Sequence, residues 1–374
     1  MNVIVFFTFG ISFLDWEKSG LLDREIKIYK ELSEKYGYKF TFITYGQDED
    51  LKYKNLVLNS NIIPIYKYFK KPNNKFIQIF QSLIIPFKLK KNLDDDKCII
   101  KTNQLYGSWS AMVYKLISKN PLILRTGFDL LTFTIKQKKS FIKIIFYYLL
   151  TFLALNISDL YISTSKVDIS FLQKRFLFKK NKIIYIPNWV NMNPNVPILE
   201  RDLKGIAVGR LEKQKDFSYL INEWKNLNIK LDIYGEGSEK EEIEKLIANI
   251  DNIELKGTLK NNDLIQKYSE YQIYVSSTEY EGNSKTLLEA MGAGCVAIVP
   301  SIKNNKEIII DYDNGILFSK KNDNLVSIIK KLIQDSSLLV NLSNNAIKSI
   351  ENSNSLKSVV KLEDESYKKL INKF

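Results

Sequence analysis

The stretch EGNSKTLLEAMGAG, residues 281–294, is the most informative part of this chain. It follows an apolar run at residues 273–276 that predicts a buried strand, and it opens a segment of helical periodicity. Seven residues separate Glu281 from Glu289, and eight positions along a helix turn through about 800°, or about 80° past two full turns. The pattern predicts two carboxylates offset along one side of the element, with Glu281 before the helix and Glu289 two turns inside it.

The neighbours of these glutamates favour a ligand site over an ordinary surface. Taken singly, each glutamate has a plain interpretation, as an exposed loop residue or a solvated helix residue. However, Gly282 lies beside Glu281, and Glu289 stands within the apolar sequence LLEAM, where an unpaired carboxylate would be costly. The backbone N–H groups that begin a helix also suit a phosphorylated or polyhydroxylated ligand.

Outward from this stretch, β-branched runs alternate with helical periodicity along the whole chain, which is typical of α/β proteins with parallel sheets. In the first half, strands are predicted at residues 3–7, 39–45, 62–66, 98–102, 122–125, 160–163 and 183–186, with helices such as 21–36 and 106–119 between them. In the second half, strands are predicted at residues 205–208, 230–234, 253–256, 273–276, 296–299 and 316–318. From about residue 322 onward the pattern is helical.

Proline and asparagine crowd residues 187–197, where they disfavour regular structure. This predicts an N-terminal domain of residues 1–190 and a C-terminal domain of residues 198–374. A chain of 374 residues is long enough for two domains. We therefore expect two doubly wound, Rossmann-like domains that face each other across a ligand-binding cleft, followed by a helical C-terminal tail.

Composition excludes several kinds of chemistry. The hydrophobic fraction of 45% and the charged fraction of 26% are those of a folded globular protein. Two cysteines, Cys98 and Cys295, rule out a disulfide framework and a thiolate metal cluster supplied by one chain. The absence of histidine removes the Ser-His-Asp and Cys-His nucleophile systems and nearly all zinc-enzyme designs.

The positive charge lies entirely in the first half. Residues 1–190 hold 30 Lys and Arg against 15 Asp and Glu, whereas residues 191–374 hold 25 against 27. A Lys- and Asn-rich bias would affect both halves alike, so the asymmetry predicts contact between the first half and an anionic surface. The pattern of Tyr66, Tyr68 and Phe69 among lysines supports an anionic membrane as that surface.

The longest apolar stretch, residues 144–157, follows a lysine-rich segment. Its 14 residues fall short of the roughly 20 needed to span a bilayer. It is either a buried or partly buried domain helix or a helix in the membrane interface with its lysines toward headgroups. The N-terminus, MNVIVFFTFG, has no basic region and no cleavage site, so it predicts a first strand and a cytoplasmic protein rather than a secretory signal.

The C-terminal half resembles the retaining glycosyltransferases of glycosyltransferase family 4, also called group 1, which have the GT-B fold. The stretch from Glu281 to Glu289 is similar to their E-x7-E motif, and Gly209-Arg210-Leu211 with Lys215 is similar to their G-R-L-x3-K phosphate signature. Other matching positions are the turn Tyr234-Gly235-Glu236-Gly237, then Gly257, Glu307 and Gly315. The resemblance covers about residues 203–320. It is weaker in the first half, where the loops at residues 16–25 and 101–110 and the sequence Arg125-Thr126-Gly127 are similar to segments of some polysaccharide-assembly members.

The resemblance implies a role for each of these residues. Arg210 and Lys215 would meet the diphosphate of a nucleotide sugar, which gains negative charge as the glycosidic bond breaks. Glu281 would lie near the transferred sugar, and Glu289 would hydrogen-bond the ribose. The further donor contacts would be Gly209, Gly235, Glu236, Gly237, Gly257, Gly282, Asn283, Ser284, Lys285 and Thr286. Gly20, Asn103 and Arg125 are candidate contacts from the N-terminal domain, although Gly20 is equally well a simple turn glycine.

Neither a metal nor a cofactor is expected. Asp94, Asp95 and Asp96 are similar to the metal motif of transferases with another fold, but they precede the strand at residue 98 on its amino side, which predicts a solvated turn. The lack of histidine suits a retaining mechanism, in which the departing phosphate oxygen can accept the proton of the attacking hydroxyl. Some family members carry a histidine in the N-terminal domain near the sugar, and this chain has none.

Three other functions fit the sequence less well. A nicotinamide dehydrogenase would account for Gly235-x-Gly237, but Lys240 replaces the third glycine of that fingerprint. A nucleic-acid binder would use the basic half but has no recognisable module here. A GT-B epimerase or phosphorylase would generally need histidines or a pyridoxal-binding lysine motif. The sequence thus predicts a transferase that uses a nucleotide-sugar donor and a lipid-linked or polysaccharide acceptor in capsule, O-antigen or lipopolysaccharide assembly, peripheral on the inner face of the plasma membrane.

Overall fold

The computed structural model describes residues 1–91, 93, 97–194 and 196–373. They divide into two compact units, one of Met1–Ile186 with Val360–Phe374 and one of Pro187–Val359. The division falls at the proline- and asparagine-rich segment, as predicted for the boundary between the domains. Each unit is built around one parallel sheet.

The N-terminal unit has a seven-stranded parallel sheet within its described residues, in the order β3-β2-β1-β4-β5-β6-β7. The strands are β1 (Asn2–Phe6), β2 (Lys39–Thr44), β3 (Asn61–Pro64), β4 (Cys98–Thr102), β5 (Leu122–Thr126), β6 (Leu160–Ser163) and β7 (Ile183–Tyr185). The residues of β4 are all buried, because parallel sheets are covered on both faces. This explains why the strands read as continuous apolar runs.

Helices connect these strands. They are α1 (Phe13–Lys18), α2 (Leu22–Tyr36), α3 (Ile65–Tyr68), α4 (Lys75–Lys90), α5 (Ser108–Ser118), α6 (Leu130–Lys136), α7 (Phe141–Ile157) and α8 (Lys166–Arg175). Local signals set their ends: the Ser12 hydroxyl caps the start of α1, and α2 ends at Gly37, whose φ of 70° favours glycine. The strand predicted at residues 62–66 stops at Pro64, and α3 begins at the next residue.

The C-terminal unit repeats the design with six parallel strands among its described residues, in the order β10-β9-β8-β11-β12-β13. The strands are β8 (Asp202–Val208), β9 (Lys230–Tyr234), β10 (Ile253–Gly257), β11 (Tyr271–Val275), β12 (Val296–Pro300) and β13 (Ile316–Phe318). The helices are α9 (Phe217–Trp224), α10 (Lys240–Ile247), α11 (Asn261–Lys267), α12 (Lys285–Gly292), α13 (Leu325–Gln334) and α14 (Ser336–Ser353). In order along this sheet the strands are third, second, first, fourth, fifth and sixth, the doubly wound arrangement.

This strand order positions the site. The chain leaves β8 toward β9 and β10 on one side, then returns to β11 on the other side of β8. Open α/β sheets bind ligands outside the carboxyl ends of the strands where the order reverses in this way. The loops after β8 and β11, which hold Lys215 and Glu281, therefore lie at the same edge.

The last helix corrects the predicted domain limits. Helix α15 (Leu356–Ile371) was assigned to a C-terminal domain of residues 198–374, but Val360–Phe374 belongs to the N-terminal unit. Glu363 and Tyr367 are fully buried there, and Lys101 Nζ donates hydrogen bonds to both, at 2.7 and 2.8 Å. A helical pattern tells which positions are apolar, but not which sheet will cover them.

Helix α7 contains the long apolar stretch. Only Leu150, Thr151, Ala154 and Leu155 of this helix are buried, so it is a partly buried domain helix, which is one of the two expectations. Among the described residues, no helix combines the length and the apolar character that crossing a membrane requires.

Candidate active site in the C-terminal domain

Three loops at the carboxyl edge of the C-terminal sheet are joined by backbone hydrogen bonds. The N–H of Gly209, after β8, donates to the carbonyl oxygen of Tyr234 at 3.0 Å. The N–H of Gly235, after β9, donates to the carbonyl oxygen of Gly257 at 2.7 Å. The ends of β8, β9 and β10 therefore form one connected surface.

The G-x-G turn after β9 is required by close backbone packing. A Cβ atom on Gly235 would lie 1.9 Å from the carbonyl oxygen of Gly209, and one on Gly237 would lie 2.3 Å from that of Leu211. No side chain fits at either distance. The spacing that suggested a dinucleotide fingerprint thus arises because two loops touch through their main chains.

Lys215 and Glu281 form an ion pair between the loops after β8 and β11. The Nζ atom of Lys215 donates to Oε2 of Glu281, and the two side chains are only 16% and 15% exposed. The stem of Lys215 lies against Gly209, where an added Cβ would be 3.3 Å from its Cε. This contact explains the glycine that begins the G-R-L-x3-K motif, and it directs the lysine across the edge of the sheet.

The two loops are held together beside this pair by side-chain hydrogen bonds. Buried Gln214 donates from Nε2 to the carbonyl oxygen of Tyr280 at 2.6 Å. The Ser277 hydroxyl lies 2.9 Å from the carbonyl oxygen of Lys215 and 2.8 Å from that of Asp216. Because these bonds fix the backbone on both sides, the ammonium and the carboxylate are preorganised rather than carried on free loops.

Glu289 lies near the middle of α12 and is almost fully buried, at 2% exposure. Its Oε1 accepts a hydrogen bond from Nδ2 of Asn261, the first residue of α11, at 3.0 Å. Because α12 begins at Lys285, Glu289 is about one turn inside the helix, not the two turns predicted. The loop at residues 281–284 is longer than expected and takes up the difference.

This loop is held by the segment that precedes the C-terminal sheet. The N–H of Asn188 donates to Oδ1 of Asn283 at 2.9 Å, and Nδ2 of Asn188 donates to the Asn283 carbonyl oxygen at 2.9 Å. Both asparagines are buried. Asn188 thereby positions the backbone between Glu281 and α12.

The start of α12 carries hydroxyl groups. The N-cap residue, Ser284, makes no side-chain capping hydrogen bond to the helix, and its hydroxyl lies 3.3 Å from that of Thr286. Thr286 is in turn 3.1 Å from the hydroxyl of Tyr274 on β11. Burial raises the pKa of Tyr274, so its hydroxyl stays protonated. The first turn of α12 presents polar groups and the positive end of the helix dipole.

The remaining candidates of this unit line the same edge with looser contacts. Arg210 is exposed in the loop after β8, and within the described residues no hydrogen bond or ion pair joins its side chain to Lys215 or Glu281. Glu236 is exposed and pairs with Lys240 at 2.9 Å. Lys285 is partly buried at the start of α12. The structure thus joins Lys215 to Glu281 and places Glu289 on the adjoining helix, while Arg210 and Glu236 face solvent.

The N-terminal candidates lie at the edge of the other sheet, and two of them belong to a buried polar cluster. Asn103 donates to the hydroxyl of Tyr29, and Arg125 Nε is 3.5 Å from Glu363 Oε1. Burial acts to raise the pKa of Glu363, but Lys101 and Arg125 hold it below its usual value. Arg125 therefore has a structural partner, which the sequence analysis did not foresee. Gly20, with φ of 68°, makes a turn between α1 and α2.

Metal binding would need a cluster of ligands among the described residues, and thiol chemistry would need a free cysteine. In that part of the chain, no group of three His, Cys, Asp or Glu residues could hold a metal ion. The predicted turn at Asp94, Asp95 and Asp96 lies outside the described residues. Burial raises the pKa of Cys295 to about 12, so this thiol is protonated at neutral pH.

Solved structures resemble this chain over its whole length. Sucrose-phosphate synthase from Thermosynechococcus elongatus has a TM-score of 0.78 at 16% identity and covers all of both chains. Anabaena HepE, solved in complex with UDP, has a TM-score of 0.73 at 13% identity and covers 99% of this chain and 100% of its own. The architecture is therefore an α/β fold of GT-B type, as the resemblance implied.

A family model matches much of the C-terminal unit. Residues 193–349, which contain the Lys215–Glu281 pair and Glu289, match the family model described as glycosyl transferases group 1. This stretch of the C-terminal unit is therefore similar to group 1 glycosyltransferases.

Curated relatives of this chain also carry glycosyltransferase names. An uncharacterized glycosyltransferase of Methanocaldococcus jannaschii, MJ1178, is 26% identical over 308 residues, covering 80% of this chain and 81% of its own. The GtfA subunit of a UDP-N-acetylglucosamine–peptide N-acetylglucosaminyltransferase of Streptococcus pneumoniae is 35% identical over 135 residues, which is 34% of this chain and 26% of that protein. The amylovoran biosynthesis glycosyltransferase AmsD of Erwinia amylovora is 31% identical over 143 residues, covering 36% of this chain and 40% of its own. The chain thus spans only about a quarter of the pneumococcal relative.

Sequence reasoning missed the residues that support the site. Asn188 lies in the proline- and asparagine-rich segment and resembled a linker residue, while Gln214 and Asn261 lie in polar stretches that look like surface. Gln214 stands directly before Lys215 in the phosphate signature, and this position is the one local signal that could have pointed to Gln214. Asn188 and Asn261 carry no such signal, because their partners are 95 and 28 residues away.

Proposed function

We propose that this protein is a retaining glycosyltransferase that moves a sugar from a nucleoside diphosphate to a saccharide acceptor, without a metal ion. The observation that carries the proposal is the largely enclosed pair of Lys215 and Glu281, at the point where the strand order of the C-terminal sheet reverses, with buried Glu289 on the adjoining helix. The match of residues 193–349 to group 1 glycosyltransferases supports it.

The donor would lie along the connected edge of β8, β9, β10 and β11. Lys215 would bind the diphosphate as a fixed charge, and exposed Arg210 would close on it from solvent. Glu289, oriented by Asn261, would accept hydrogen bonds from the ribose hydroxyls. The UDP in the HepE complex and the UDP-N-acetylglucosamine named for the GtfA subunit make UDP-sugars the first donors to test.

The chemistry follows from charge. When the bond between the sugar and the diphosphate breaks, the ring gains positive character and the leaving group gains negative charge. Lys215 would stabilise the leaving group, and Glu281 would orient the sugar or stabilise the positive ring. The departing phosphate oxygen would take the proton of the acceptor hydroxyl, a step that needs no histidine, and the new bond would form on the face that the phosphate leaves.

We infer that the acceptor is a lipid-linked saccharide or a polysaccharide, and that transfer occurs at the cytoplasmic face of the membrane. The similarity to AmsD, which is named for amylovoran biosynthesis, supports surface-polysaccharide assembly. The excess of 30 basic over 15 acidic residues in residues 1–190 supports an anionic environment on the N-terminal side.

The test is a donor panel followed by product analysis. Thermal shift with nucleoside diphosphates and nucleotide sugars identifies the nucleotide, because a ligand of the folded state raises the melting temperature. Release of the diphosphate is then measured with EDTA present, and proton NMR of the product gives the anomeric configuration. Retention supports the proposal, while inversion, strict dependence on a divalent cation, or phosphorolysis or epimerisation without transfer would contradict it.

A further inference from the structure

Two helices of the N-terminal unit expose large apolar side chains to solvent. On α4, Phe76, Phe80 and Phe87 are 82%, 64% and 55% exposed, and on α7, Ile142 and Leu149 are 79% and 53% exposed. Soluble surfaces carry single exposed apolar residues, but rows of them along a helix mark an interaction site.

Exposure of apolar residues is clearest on helix α7, because this helix is apolar both on the side that faces the core and on the side that faces solvent. Leu150, Ala154 and Leu155 pack into the core, while Ile142, Leu149 and their neighbours face outward. Apart from Lys143, its 17 residues include no charged side chain. A helix that is hydrophobic all round needs an apolar environment on both sides, and the domain supplies it on only one.

The two helices belong to one surface, because α5 packs against both α4 and α7. Leu116 on α5, 64% exposed, continues the apolar area between them. We name the outward faces of α4, α5 and α7 the apolar face.

The charged side chains of the two segments that contain α4 and α7 are all basic. Residues 65–91, which include α4, hold seven lysines and no Asp or Glu, and residues 130–157, which include α7, hold four lysines and no Asp or Glu. Lys138, Lys139 and Lys143 are exposed at the start of α7, as is Lys75 at the start of α4. Exposed phenylalanines next to lysines, without acidic residues, match the boundary between headgroups and acyl chains of an anionic bilayer.

We propose that the apolar face docks the protein on an anionic lipid bilayer, with α4 and α7 lying in the interface and their lysines at the headgroups. Among the described residues, no helix has the length and apolar character to cross a membrane, so the contact is peripheral. A second copy of the chain fits less well, since pairing two such faces would bring lysines of like charge together. The apolar face would bring the enzyme to a lipid-linked acceptor, and in this respect the docking rests on the proposed function.

The experiment is flotation of the full-length protein with vesicles, which needs no sugar transfer. Vesicles of phosphatidylcholine alone are compared with vesicles that contain about one-third phosphatidylglycerol, at low and high salt. We expect binding to the anionic vesicles that weakens with salt. The double variants Phe80→Ser/Phe87→Ser and Ile142→Ser/Leu149→Ser should each lower the affinity at least tenfold, whereas the control Leu203→Ser/Ile310→Ser, exposed apolar residues of the other unit, should not.

The charge is tested separately with Lys138→Gln/Lys139→Gln/Lys143→Gln, against Lys330→Gln/Lys331→Gln/Lys348→Gln as the control. The first triple variant should weaken binding to anionic vesicles at least tenfold and the second should leave it within about twofold. All variants substitute exposed side chains, and thermal unfolding checks that they fold.

The proposal is overturned if the wild-type protein does not bind anionic vesicles at low salt. It is also overturned if both apolar double variants bind as the wild type does, or if light scattering finds a dimer that Phe80→Ser/Phe87→Ser converts to a monomer. Hydrolysis of a nucleotide sugar is measured in parallel. Vesicle binding without hydrolysis would contradict the proposed function alone, and hydrolysis without vesicle binding would contradict the docking alone.

Discussion

Substituting Glu281 by Gln should tighten the binding of a nucleoside diphosphate while it slows sugar transfer. In the structure the Glu281 carboxylate holds the ammonium of Lys215, and both side chains are largely enclosed. A bound diphosphate would compete for the same ammonium and would be repelled by the carboxylate. Glutamine keeps the shape of the side chain and removes its charge.

The size of the effect follows from Coulomb's law. With an effective dielectric constant of about 20, a phosphate charge ~8 Å from the carboxylate, on the other side of the ammonium, is repelled by about 2 kcal/mol. Removing this repulsion should lower the Kd for the diphosphate by roughly ten- to thirtyfold. Turnover should nevertheless fall at least ~100-fold, because the charge that orients or stabilises the sugar in the transition state is lost.

Isothermal titration calorimetry with UDP, or with whichever diphosphate the thermal-shift panel selects, measures the first effect, and product release measures the second. Glu279→Gln is the matched control, since it removes an exposed carboxylate from the same loop. The reasoning is refuted if Glu281→Gln binds the diphosphate with unchanged or weaker affinity at matched stability. It is also refuted if Glu279→Gln tightens binding as strongly.

Four further outcomes are expected. Lys215→Ala should weaken diphosphate binding, opposite in sign to Glu281→Gln, and lower turnover at least ~100-fold; near-normal transfer by a folded variant would remove Lys215 from the site. Gly235→Ala places a Cβ 1.9 Å from the Gly209 carbonyl oxygen, so urea denaturation should find that the free energy of unfolding falls by about 2 kcal/mol or more. The control Gly257→Ser has no atom within 4 Å of the added Cβ, so it should be destabilised only by the backbone strain of its φ of 72°. Glu363→Gln leaves buried Lys101 without its carboxylate and should cost about 3 kcal/mol, as judged by the same denaturation. The pKa of Glu363 is lower in the folded protein than its ordinary value. The contribution of its carboxylate to stability is therefore present above the ordinary carboxyl pKa and is lost as the pH falls through the folded pKa. In that acidic window the wild type should lose stability more steeply than Glu363→Gln.

The sequence alone predicted most of the strands and helices and the resemblance to group 1 glycosyltransferases. The predicted strand at residues 98–102 matches β4, and the one at residues 230–234 matches β9, because a strand buried on both faces is a continuous apolar run that needs no knowledge of its neighbours. The phosphate signature at Gly209, Arg210 and Lys215 and the Glu281–Glu289 spacing led to group 1 glycosyltransferases, since each motif lies within one loop or one loop and helix.

The tertiary structure decided which of these parts meet. Lys215 and Glu281 are 66 residues apart and become partners only because β8 and β11 are neighbours at the point where the strand order reverses. The tertiary structure also brings Asn188 to the loop of Asn283, and it brings Glu363 of the last helix to Lys101 of the first sheet. Periodicity reports that a face is apolar, but the packing of the whole domain decides whether that face is covered. For this reason the sequence left open how far α7 is buried, whereas the structure packs one side of this helix in the core and leaves apolar residues of the other side exposed.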